Sequence, residues 1–310
     1  GDPVTGLGSN GRPLQEHHFQ ALGPFARAAF IISKHPTWQV KYKSTADTLI
    51  DFARHNGLEY WFDKTHGIYT GSADWNWVAG RIPWLPLDLG GQNPTSTPPN
   101  LPPNHQNEWN DKVTLAGIIA AWLAAANPND WFSIDLANRI AAGFRRRLTL
   151  QNGGWVWDVL QVNWDVLKVS DKNTPDHDTS HTNREPQFLI ACHRAGIVFT
   201  QDDLNKMAVA LTDRLWNGDI GDPAFANYLS GRNEPFYQGA SKYEPWQVGN
   251  VYAGWAMLGR YDPICRLVME SVFHQVLSGP SAGKKLGSQN FTPQGEVSLS
   301  GHCLLNRLKV

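Results

Sequence analysis

Apolar positions recur with helical spacing over most of this chain. From Glu16 to Ser33, Phe19, Leu22, Phe25, Ala26, Ala29 and Phe30 share one face. A second helix is predicted from about Lys43 to Phe62, burying Ala46, Leu49, Ile50, Ala53 and Leu58. A third runs from about Gln106 to Ala126 and stops at Asn127-Pro128-Asn129-Asp130. Asp130 is placed to cap a fourth, from Trp131 to Leu150. Gly153-Gly154-Trp155-Val156-Trp157 ends it and opens a short extended segment. Further helices are expected from about Asn183 to Ala195, then through Trp216 behind a Thr200-Gln201-Asp202-Asp203 cap, then over 245–259 and 262–277. Strands and helices do not alternate, so the fold class is all-α.

The polar segments between these helices are long. Residues 80–103 hold seven prolines, too many for a helix, and 217–244 form a second polar loop. Loops of that length in a compact domain are often functional. Two helix starts also resemble each other. Asn104-His105-Gln106-Asn107-Glu108 and Ser180-His181-Thr182-Asn183-Arg184-Glu185 both carry His-x-Asn before an acid, 76 residues apart. The helix exits repeat as well, with Gly67-x-Tyr69 near Trp75 and Trp77, then Gly154-Trp155-x-Trp157. Helical hairpins that repeat this way bury their faces by stacking. The expected architecture is a single (α/α)n toroid or incomplete barrel over residues 1–310, with long loops on one rim.

Composition narrows the partners. Lys+Arg number 27 against 28 Asp+Glu, so there is no basic footprint for nucleic acid. No apolar run is long enough for a membrane span. Gly1-Asp2-Pro3 reads as a mature or trimmed start, and Asn290-Phe291-Thr292 is a glycosylation-type sequon, so a secreted or periplasmic monomer is expected. Cys192, Cys265 and Cys303 have no metal or redox spacing and read as buried thiols. Fourteen tryptophans are the unusual count. Indoles serve as flat platforms for sugar rings, or simply fill a large core.

The densest chemistry is Asp176-His177-Asp178-Thr179-Ser180-His181-Thr182-Asn183-Arg184-Glu185, entering an apolar helix. Its bland reading is local. Asp178, Thr179 or Ser180 caps the helix, Thr182 and Glu185 have capping-box spacing, and Arg184 pairs with Asp176 or Asp178. Its functional reading is β-elimination on a uronic acid. That reaction needs a group to neutralise the carboxylate, one to take the C5 proton and one to protonate the leaving oxygen. Asn183, Arg184, Glu185 and His181 supply such groups at one helix start, and Asn104, His105 and Asn107 at another. The 228–243 loop adds Arg232 and Tyr237. No metal or other cofactor is called for. Inverting hydrolysis is the alternative, needing two carboxyls among Asp74, Asp111, Asp176, Asp178 and Glu185. The Asp176–His181 cluster also has ligand types for zinc or calcium, but its spacing matches no specific zinc signature.

Four stretches together resemble the helical-barrel polysaccharide lyases that act on glucuronan and alginate. They are Leu101-Pro102-Pro103-Asn104-His105-Gln106, Gly153-Gly154-Trp155-Val156-Trp157, Asp178-Thr179-Ser180-His181 and Ala195-Gly196-Ile197-Val198-Phe199-Thr200. The pattern spans about residues 100–240 and is similar also to uronate-active toroid proteins such as the glucuronyl C5-epimerases. The resemblance implies metal-independent elimination with a tyrosine transferring the proton. By position that is Tyr237, with Arg232 beside it and Tyr243 and Tyr228 as rivals. Glu185 and Asn183 fall to the carboxylate-binding group, and His181 and His105 line the same cleft. Arg184, Asn104, Asn107, Tyr243 and the indoles of Trp75, Trp77, Trp155 and Trp157 would hold the polymer. A non-catalytic carbohydrate-binding protein or an epimerase would use the same surface.

Overall fold

The computed structural model describes residues 15–60, 110–157, 177, 179, 181–226, 228–231, 251 and 253–278. These are mostly helical, as the periodicity indicates. They fall into two compact units, taken here in turn.

The first unit is built on α1 (Gln15–Lys34), α2 (Pro36–Lys41), α3 (Lys43–Phe52), α4 (Asn110–Ala126) and most of α5 (Trp131–Arg147). Helix α1 buries Phe19, Leu22, Ala26 and Ala29 and packs on α3 and α4. Helix α4 is buried along the whole of 113–125, as an apolar sequence without a polar face requires. Helix α2 has no buried residue and no apolar period, which is why periodicity does not reveal it. After Phe52 the chain continues as a π-helical segment, Ala53–Glu59.

Asp130 caps α5 as expected. It accepts from the Ser133 N–H at 3.3 Å and from the Ser133 hydroxyl at 2.7 Å. Arg54 adds an ion pair to the same buried carboxylate at 3.0 Å and bonds Glu59 at 2.7 Å. Burial pushes the Glu59 carboxyl up, but hydrogen bonds and charge from Arg54 and His55 outweigh it and leave it below the usual range.

His18 sits edge-on to Tyr60, with ring centres 6.0 Å apart. Burial lowers its pKa below the ordinary 6.5. The unfolded chain therefore takes up a proton that the folded chain refuses. That part of the stability is present above about pH 6.5 and is lost as the pH falls through the lowered value. His18→Gln is expected to flatten the acid side of the thermal midpoint against pH profile. The difference from wild type should stay below about 1.4 kcal/mol per pH unit, because the ring keeps solvent contact. Parallel profiles for the two proteins would refute the assignment.

The second unit begins with a hairpin, β1 (Thr149–Gln151) paired antiparallel to β2 (Gly154–Val156). Helix α5 therefore stops at Arg147, not at Leu150. The cause is the two-residue turn Asn152-Gly153, both at positive φ, 50° and 81°. That is the backbone a tight type I′ hairpin needs. The hairpin lies on the segment after α7 (Gln201–Val209), where a Cβ on Gly154 would meet the Ala210 amide nitrogen at 2.8 Å. Arg214, on the π-helical continuation Ala210–Leu215, donates to the carbonyls of Gln151 and Trp155. Helix α7 starts with the expected cap, which takes the form of a capping box, Thr200 and Asp203 bonding each other's backbone N–H.

Helix α6 (Arg184–Ala195) follows a 3-10 turn, His181–Asn183, and runs out of this unit into the first. Its end has the Schellman pattern. Gly196 at φ 71° donates to the His193 carbonyl, and Ile197 donates to Cys192. His193 Nδ1 lies 3.3 Å from the Phe199 carbonyl oxygen, a structural contact. Helices α8 (Ala253–Ala256, continued by a 3-10 turn to Arg260) and α9 (Pro263–Ser278) complete the second unit. Cys192 and Cys265 are free and buried, and burial pushes both thiols up, as befits unreactive core positions. Cys303 lies outside the described residues. Among the described residues no helix is long and apolar enough to cross a membrane.

Candidate functional site

The second unit gathers part of the polar cluster around the start of α6. Two backbone clamps set its position. The carbonyl of His177 accepts from the Leu229 N–H at 2.8 Å, and the Thr179 hydroxyl donates to the Ala226 carbonyl at 3.0 Å. The segment 226–229 is itself tied to Leu215 through the Ala226 N–H. The Thr182 hydroxyl donates back to Thr179 at 3.1 Å. So the capping-box spacing of Thr182 and Glu185 has another outcome here: the hydroxyl closes the turn and the Glu185 carboxyl lies against His177.

His177 and Glu185 are both fully buried, with side chains 0% exposed and Nδ1 to Oε1 at 4.0 Å. Trp157 donates its indole N–H to the same His177 Nδ1 at 3.1 Å. The Trp157 ring lies nearly parallel to that of Trp255, 6.3 Å away. The His181 ring is nearly parallel to His177 at 6.5 Å and is half-buried. Asn183 and Arg184 are half-buried beside it in sequence. Glu185 occupies the first turn of α6, where the exposed N–H groups of a helix favour a carboxylate.

This arrangement sets a buried carboxyl beside a buried imidazole. It also presents an imidazole, an amide and a guanidinium at one helix start. That pair is fully buried; His181, Asn183 and Arg184 are half-buried, nearer solvent.

Trp155 and Trp157 are core side chains, 5% and 4% exposed. Lys206 Nζ covers the Trp155 ring at 5.1 Å, and Trp157 is occupied with His177 and Trp255. Neither offers an open face for a sugar, so the platform reading rests on Trp75 and Trp77. Those two lie outside the described residues, as do Asn104, His105, Asn107, Arg232, Tyr237, Tyr243, Asp176 and Asp178. Tyr228 is described; it is half-buried, and its carbonyl accepts from Gly231. Sequence reasoning raised His177 only as a metal-ligand type within the Asp176–His181 cluster, and did not single out Trp255. Trp157 and His177 stand 20 positions apart, and only the fold joins them.

Compared with family models, with curated proteins and with solved structures, the chain matches none.

Proposed function

We propose that the chain is a secreted or periplasmic polysaccharide lyase on an (α/α)n toroid. It cleaves a uronic-acid polymer of the glucuronan or alginate type by β-elimination, a chemistry that needs no metal. One observation supports this best. His181, Asn183 and Arg184 share the start of α6, in front of the buried Glu185–His177 pair. Donors at a helix start suit a carboxylate, and neutralising that carboxylate is what makes the adjacent C5 proton removable. In this reading His181, Asn183 and Arg184 hold the uronate, while Glu185 supports them from the interior. Tyr237, with Arg232 beside it, transfers the proton. The protein acts as a monomer on an anionic polysaccharide.

The test is product chemistry. Purified protein is mixed with alginate, glucuronan or a glycosaminoglycan, and ultraviolet absorbance of an unsaturated uronate is followed. Reducing ends without that absorbance would mean hydrolysis. Deuterium uptake at C5 without cleavage would mean epimerisation, and binding without product a carbohydrate-binding protein. Tyr237→Phe is expected to lower turnover by about 10²-fold or more with the fold intact. Near-normal turnover would remove Tyr237 from the proton-transfer role.

A further inference from the structure

An indole nitrogen can only donate, so the bond from Trp157 to His177 has one possible direction. His177 Nδ1 must be the acceptor at 3.1 Å. An imidazole that accepts at Nδ1 carries its proton on Nε2 when neutral. We propose that Trp157 is a positioning residue that holds His177 as the neutral Nε2–H form, so that Nδ1 carries no proton toward Glu185.

The surroundings favour the same state. A proton on Nδ1 would face the Trp157 N–H, donor against donor, and cost that bond. Its other prospective partner, Glu185 Oε1, lies at 4.0 Å, beyond hydrogen-bond reach. Neither group is loosely placed. The His177 backbone is held by Leu229, and Trp157 follows a strand anchored by Arg214 and packs against Trp255. Glu185 on α6 and His181 on the 3-10 turn are titratable groups beside the ring. Trp157 thus opposes a proton on Nδ1, the ring nitrogen that lies 4.0 Å from Glu185 Oε1.

Nitrogen-15 spectra of the full chain with labelled histidine read the tautomer directly. The result does not depend on turnover, so it stands whether or not the lyase reading does. Wild-type His177 is expected to show a protonated Nε2 and a bare Nδ1 at neutral pH. In Trp157→Phe the signature should shift toward a protonated Nδ1, with the ring titrating at higher pH than in wild type. A protonated Nδ1 in the wild-type protein would overturn the proposal. So would a folded Trp157→Phe variant with an unchanged tautomer and titration. If that variant does not fold, the wild-type spectrum alone still decides, because it tests the bond's direction without any substitution.

Discussion

Gly254→Ala is expected to disrupt the second unit more than any other conservative change in it. A Cβ at this position would stand 1.5 Å from the Asn183 carbonyl oxygen and 2.6 Å from its carbon. Both are backbone atoms, so no rotamer change relieves the overlap. Helix α8 and the turn before α6 would have to separate until the gap grew from 1.5 Å to at least 3.0 Å. The neighbouring Trp255 is fully buried and stacks on Trp157, so the separation would reach the indole that bonds His177. The expected cost is about 3–5 kcal/mol, as for severe overpacking against backbone. It would be read as a lower denaturant midpoint with loss of near-ultraviolet tryptophan signal. Gly196→Ala is the control. Gly196 has φ 71° but nothing within 4 Å, so it should lose only the cost of a left-handed alanine, about 1–2 kcal/mol. Equal effects at the two glycines would show that the close approach at Gly254 carries no special weight.

Local chemistry made much of this fold readable. The Asp130 cap, the Thr200–Asp203 box and the Gly196 stop each depend on residues within a few positions of one another, and each forms as the spacing indicates. The hairpin at 149–156 was also written locally, in Asn152-Gly153. The apolar positions upstream kept a helical rhythm that masked it, although type I′ backbone at those two residues is a strong signal. The candidate site was legible only in part. That polar groups cluster at the start of α6 follows from sequence order. That Glu185 turns inward does not, because it depends on His177 being pinned by Leu229 and Ala226 being tied to Leu215. Trp155 and Trp157 show the same limit from the other side. An indole's sequence neighbourhood does not say whether its ring faces solvent, and here Lys206 and Trp255 cover them.

Glu185→Gln and Glu185→Ala should separate the packing of this side chain from its chemistry. The carboxyl is fully buried, and an ionised group there is costly unless its surroundings offset the charge. Two offsets are at hand: the N-terminal turn of α6 and an imidazole 4.0 Å away. Trp157 holds that imidazole neutral in our reading, so the N-terminal turn of α6 is a compensation that does not depend on a proton at His177. Glutamine keeps the shape and the hydrogen-bonding capacity but cannot carry the charge. The Gln variant should therefore fold with a thermal midpoint near wild type. On a uronate polymer its turnover should fall by roughly 10²-fold, as for loss of one preorganised charge behind the groups that hold the uronate. Alanine leaves a buried cavity and should cost about 2–4 kcal/mol of stability in addition. If the Gln variant retains full turnover while the Ala variant unfolds, Glu185 is a packing residue, and the helix start in front of it works without its charge.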